Sequence, residues 1–188
     1  MSQQALLTRI VGALNGAGIP YMLTGSLASS LQGEPRATHD IDLVVDIAAS
    51  DVARVTRALS APQVYLDEHA VSDATRRRTM FNLIDSSSGD KADFWLLTDD
   101  SYDRERFARR LRVEALGLEL SVSAPEDTIL MKLRWSAQAG GSEKQLSDAL
   151  RVYELQAGSL DEGYLDEWAV RLEVAAALAA IRRHTRAG

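Results

Sequence analysis

The chain has 188 residues, of which 46% are hydrophobic and 26% charged, an ordinary globular composition that excludes a disordered chain and leaves room for one domain or a domain with a small appendage. Its net charge of −6 argues against a protein that grips nucleic acid by bulk charge, although a local basic patch can survive within it. There is no cysteine, so disulfides, thiolate metal sites and a cysteine nucleophile are all excluded.

The N-terminus lacks the charged-then-apolar order of a signal peptide, and the apolar run Val174 to Ile181 is too short to span a bilayer. A soluble cytoplasmic protein is the expectation. Only Lys91, Lys132 and Lys144 are lysines; arginine supplies the rest of the 21 basic residues. Genomic base composition accounts for most of those arginines. Runs such as Arg76-Arg77-Arg78 are read as solvated surface.

In chain order, Ser2 to Asn15 carries one apolar face at helical spacing, closed by Gly16 and Gly18. Tyr21 to Thr24 reads as a short strand, Gly25-Ser26 as a turn, and Leu27 to Leu31 as a short helix. Asp40 to Val45 alternates β-branched residues with carboxylates and predicts a strand. Ser50 is placed to cap a helix over 51–59. Met80 to Ile84 and Ala92 to Leu97 form a hairpin around a turn-rich connection. Ser101 to Leu111 reads as a polar helix, and Val113 to Ala115 with Leu118 to Val122 as a weaker hairpin. From Ser123 the pattern is all helical. Capping boxes are expected at Ser123-Ala-Pro-Glu126 and Ser159-Leu-Asp-Glu162, with helices over about 124–139 and 143–155. The expected organisation is thus an α/β (α+β) domain with a mixed sheet over residues 1–123, and a C-terminal helical region over 124–188 packed on it.

The chemistry concentrates in three places. Residues two apart in a strand face the same side, so Asp40 and Asp42 project together. Two carboxylates this close repel unless a cation sits between them or one keeps a proton, and hard oxygen donors suit Mg²⁺ or Mn²⁺. Asp93 interrupts an apolar strand, where a charge needs a partner; a metal shared with Asp40 and Asp42 would supply it. Three carboxylates on one sheet face suit two-metal phosphoryl transfer, making Asp40, Asp42 and Asp93 the catalytic and metal-binding candidates. Gly25 and Ser26, at a strand-to-helix turn, are the nucleotide-binding candidates: glycine lets the backbone approach a phosphate, and the helix N-terminus offers free N–H groups. His39 is read as structural.

Leu23-Thr24-Gly25-Ser26-Leu27-Ala28, Arg36-Ala37-Thr38-His39-Asp40-Ile41-Asp42-Leu43 and Lys91-Ala92-Asp93-Phe94 together resemble the polymerase-β-type nucleotidyltransferase superfamily. Within it, the chain is most similar to the AbiEii/MenT-like group, toxin components of toxin–antitoxin modules. That group also carries a lysine and an aspartate in successive helices after the sheet, which Lys132 and Asp148 match. The resemblance spans residues 20–155 and departs at Gln145, where the group often has aspartate. It implies a nucleotidyltransferase fold, transfer of a nucleoside monophosphate from an NTP with Mg²⁺ or Mn²⁺, nucleotide contacts by Lys132 and Asp148, a tRNA 3′ end or protein hydroxyl as acceptor, and a cognate antitoxin as partner. Two alternatives share the same acid triplet. One is a small-molecule nucleotidyltransferase of the aminoglycoside-resistance kind, and the other a non-catalytic nucleotide-binding module of the same fold.

Overall fold

A computed structural model of the chain describes residues 2–38 and 40–187, with the side chains of 186 and 187 left aside; His39 therefore lies outside the described residues. The chain divides into two compact units. One comprises residues 1–27 and 38–122, the other residues 28–37 and 123–188.

The first unit is α/β. Helix α1 (Gln3–Gly16) is capped by Ser2, whose side chain accepts from the Ala5 N–H, and buries Leu6, Leu7, Ile10, Val11 and Leu14. Strand β1 (Tyr21–Thr24) leads into helix α2 (Gly25–Gln32), whose first residues belong to this unit. Then come β2 (Asp40–Val45), α3 (Val52–Leu59), β3 (Val64–Tyr65), α4 (Glu68–Arg77), β4 (Met80–Asp85), β5 (Lys91–Leu96), α5 (Ser101–Ala108), β6 (Leu111–Ala115) and β7 (Leu118–Val122). Among the described residues the strands form one seven-stranded mixed sheet in the order β3-β4-β5-β2-β1-β7-β6. The pairs β2–β5 and β1–β7 are parallel, and the other neighbours antiparallel.

Strand alternation sorts the two faces of the sheet. One face carries Ile41, Leu43, Val45, Ala92, Phe94, Leu96, Phe81 and Leu83, all buried. Phe81 and Phe94, directly paired across β4 and β5, stack with ring centroids 4.7 Å apart, worth about 0.5–1.5 kcal/mol beyond their burial. The other face is apolar at one end, where Met22 and Val44 cluster with Leu97 and with Phe107 of α5. At its opposite end it carries the acids described below.

The second unit contains α6 (Pro125–Gln138), α7 (Glu143–Leu155), α8 (Glu162–Arg171) and α9 (Ala175–Ala187). Within this unit Gln32 bonds to the residues flanking two of these helices, its Nε2 donating to the Ser123 carbonyl (2.5 Å) and its carbonyl accepting from Gln156 Nε2 (2.8 Å). No described helix is long and apolar enough to cross a membrane.

Several caps differ from expectation. Ser50 lies inside a 3-10 turn at Ala49–Asp51, and Asp51 instead accepts from the Ala48 N–H. The helix from Ser101 stops at Ala108 because Leu111 already belongs to β6. Ala124, not Ser123, is the N-cap of α6, and Glu126 accepts from the distant Asp161 N–H rather than closing a capping box. Asp161, not Ser159, caps α8 through the Tyr164 N–H.

Candidate active site

The site is built on the sheet face away from the Phe81–Phe94 stack. In the parallel pairing of β2 with β5, Asp40 stands beside Lys91 and Asp42 beside Asp93. Laterally paired residues share a face, and so do residues two apart, so Asp40, Asp42, Lys91 and Asp93 form a square of charges. Thr24 pairs with Asp42 from β1, and Asn82 with Asp93 from β4, bounding the square on either side. Asp40 is exposed, Asp42 half-buried and Asp93 buried, so the square deepens toward Asp93.

Lys91 Nζ lies 2.9 Å from Asp93 Oδ2. The hydrogen bond to Asp93 pushes the Lys91 ammonium above its ordinary range; burial works against this, and the charges of Asp93, Asp40 and Asp42 add to it. All three acids thus act on one ammonium. The other oxygen of Asp93, Oδ1, is buried and has no hydrogen-bond partner among the described residues.

Gly25 closes the square from the side. Its φ of +67° belongs to the left-handed region, and a Cβ there would stand 2.0 Å from Asp42 Oδ2. Only glycine permits this turn beside this carboxylate. Ser26 follows in the first turn of α2.

Among the described residues no three His, Cys, Asp or Glu side chains make a ready-formed metal-holding group. The donor chemistry nonetheless fits a hard divalent cation: three carboxylates share one face, and a buried carboxylate oxygen has no hydrogen-bond partner among the described residues.

Lys132 and Asp148 belong to the second unit. Lys132 is 1% exposed, and its Nζ donates to Asp148 Oδ2 at 2.7 Å. Arg36, to which the sequence reading gave no role, grips the same carboxylate with Nε to Oδ1 and Nη2 to Oδ2, both at 2.8 Å. Burial pushes the Asp148 carboxyl up, but the bonds from Arg36 and Lys132 outweigh it and hold the group below the usual carboxylate range. The lysine and aspartate are therefore brought to each other, as a closed ion-paired network. Lys91 was the other omission: a lysine two residues before Asp93 in a strand necessarily shares its face, and that spacing was the available signal.

The family model for aminoglycoside-2''-adenylyltransferase matches residues 6–102, more than half of the chain. The chain belongs to the aminoglycoside-2''-adenylyltransferase family. As a member of it, the protein is a nucleotidyltransferase, an enzyme moving a nucleoside monophosphate from an NTP. The matched segment contains Gly25, Ser26, Asp40, Asp42, Lys91 and Asp93. Among solved structures, ANT(2'')-Ia in complex with adenylyl-2''-tobramycin is similar, with a TM-score of 0.56 and 15% identity, over 98% of this chain and 99% of that one. The solution structure of ANT(2'')-Ia gives 0.54 and 15%, over 99% and 98%. An antigenic nucleotidyltransferase-like protein from Paracoccidioides brasiliensis gives 0.52 and 17%, over 95% and 94%. At these identities the likeness is one of fold, the nucleotidyltransferase fold expected from the sequence. No curated protein sequence matches the chain. The comparisons thus support the aminoglycoside-type alternative over the AbiEii/MenT-like branch.

Proposed function

We propose that this enzyme transfers AMP from ATP to a hydroxyl of a small cationic acceptor of the aminoglycoside kind. The observation carrying this reading is the pairing of Asp42 with Asp93 beside the left-handed Gly25, all inside the segment that matches the family. The acceptor oxygen forms a bond to the α-phosphorus of ATP, the α–β phosphoanhydride bond breaks, and pyrophosphate leaves. Asp93, the most buried acid of the square, accepts the acceptor's proton.

Asp40, Asp42 and Asp93 are assigned as the ligands of Mg²⁺ or Mn²⁺. An ion held there would supply charge stabilisation at the phosphoryl oxygens and the leaving group. The backbone N–H groups at Gly25 and Ser26 bind phosphate oxygens at the start of α2, where the helix end carries partial positive charge. The net charge of −6 attracts a polycationic acceptor and would repel an anionic one. The chemistry is assigned to residues 1–123, and the requirement for ATP suits a cytoplasmic setting.

Lys132 and Asp148 receive a positioning role instead of direct nucleotide contact. A lysine 1% exposed and already paired has no surface to offer a phosphate. The network ties Arg36, four residues before Asp40, to α6 and α7. A second reading keeps a tRNA 3′ end or a protein hydroxyl as acceptor, with an antitoxin as partner. It rests on the toxin-branch resemblance of residues 20–155 alone.

The deciding experiment incubates the protein with ATP, Mg²⁺ and either an aminoglycoside panel or total RNA, against Asp42→Asn. Pyrophosphate release that depends on an aminoglycoside and is lost in the variant is the expected result. Label on RNA alone selects the second reading. Release that is equal in both proteins removes the assigned site.

A further inference from the structure

The acid square holds four charged side chains, and the assigned ligands account for only three. The fourth, Lys91, is one of three lysines in a chain that otherwise relies on arginine. The choice matters physically. A guanidinium would clamp a carboxylate through two fixed hydrogen bonds, whereas an ammonium is a single point charge on a flexible stem. Lys91 uses one contact, Nζ to Asp93 Oδ2 at 2.9 Å, and its side chain is 38% exposed, so the head can swing into solvent without disturbing the core. The register sets it beside Asp40 as well, and the other oxygen of Asp93 has no hydrogen-bond partner among the described residues. Three carboxylates with no cation among them would repel strongly; one ammonium partly neutralises them.

We infer that Lys91 is a resident counter-ion that competes with the divalent metal for the Asp40–Asp42–Asp93 set. Its ammonium holds Asp93 when no metal is bound and gives up Oδ2 when the ion enters. It then remains, still charged, beside the site as an anchor for the triphosphate. Metal and nucleotide binding are thereby coupled: loading the ion frees a cation for phosphate, and by linkage bound nucleotide tightens the ion. The same residue keeps the acids folded around the site between turnovers. The inference rests on the proposed metal ligation, and the experiment separates the two.

Mn²⁺ binding, read as loss of the free-ion signal in electron paramagnetic resonance, is titrated on the full chain as wild type, Lys91→Gln, Lys91→Arg and Asp42→Asn. Lys91→Gln is expected to bind Mn²⁺ about tenfold tighter, the factor that removal of one unit charge about 6 Å from a divalent ion gives even in water. Lys91→Arg keeps a cation at the site and is expected to bind no tighter than wild type, a pattern that a merely structural lysine does not produce. Lys91→Gln binding no tighter than wild type, while Asp42→Asn binds more weakly, overturns this inference and leaves the metal site standing. Binding that is absent, or equal in wild type and Asp42→Asn, overturns both unless Lys91→Gln alone gains it, which supports the competition. Should Lys91→Gln fail to fold, the wild type still decides. With three lysines to assign, the Lys91 Cε resonance is expected to move on Mg²⁺ saturation, and a stationary resonance overturns the exchange.

Discussion

Gly25 and Asp42 share one volume. A Cβ on Gly25 would lie 2.0 Å from Asp42 Oδ2 and 2.6 Å from Asp42 Cγ, inside any non-bonded contact distance. The left-handed turn at the head of α2 and the carboxylate of β2 are thus one construction: the backbone can turn there only because no side chain occupies the carboxylate's place.

Gly25→Ala is therefore expected to strike activity harder than stability. The left-handed conformation costs an alanine about 1–2 kcal/mol, a shift of a few degrees in melting temperature. Displacing Asp42 by an ångström or so is expected to lower kcat/KM by about a hundredfold or more. Thermal melts and steady-state kinetics on the same preparation check both. Retained activity with a lowered melting temperature would separate the turn from the chemistry.

The two neighbours on β2 and β5 are expected to fail alike. Asp42→Asn and Asp93→Asn each remove a charge assigned to hold the ion, with an expected loss of about a thousandfold in kcat/KM, equivalent to about 4 kcal/mol of transition-state stabilisation. The double variant is expected to lose little more than either single one, because the two act as a unit. Additive losses, measured by pyrophosphate release, would contradict a shared ion.

In the helical unit, Asp148→Ala is expected to cost about 3–5 kcal/mol, because it leaves the buried Lys132 ammonium and the Arg36 guanidinium without their carboxylate. Pairing it with Lys132→Met should recover much of that loss, since a buried charge pair replaced by apolar groups of similar size is often near neutral. Urea unfolding midpoints of the single and double variants test this. A double variant no more stable than Asp148→Ala would place the cost on Arg36 instead.

The same carboxylate predicts an acid limb in stability. Its pairs hold it below the unfolded aspartate value of about 3.9, so in acid the unfolded chain binds a proton that the folded chain does not. Its contribution is complete above about pH 4–5 and is lost as pH falls through the folded value. Asp148→Asn should flatten that limb relative to wild type between about pH 5 and pH 3, in denaturation followed by circular dichroism. An unchanged slope would assign the acid sensitivity to other carboxylates.

Short-range order was legible in the residues themselves. The period of β2 alone puts Asp40 and Asp42 on one side, and the turn-rich stretch before Lys91 makes the β4–β5 hairpin. Both follow from the local periodicity and turn chemistry of neighbouring residues. Competing caps were less legible: Ser123 and Ser159 carry suitable hydroxyls, yet the helix starts are set by Ala124 and Asp161.

What the linear chain determined by itself was which residues are the candidates for the chemistry and which share a strand face, because a period of two is a local property. Only the folded chain decided that β5 docks parallel to β2 with Asp93 level with Asp42, that Lys91 stands beside Asp40 and pairs with Asp93, and that Arg36 reaches Asp148 across 112 positions of sequence. Register and long-range ion pairing are fixed by which surfaces bury best together, a sum over the whole core that no short stretch of residues contains.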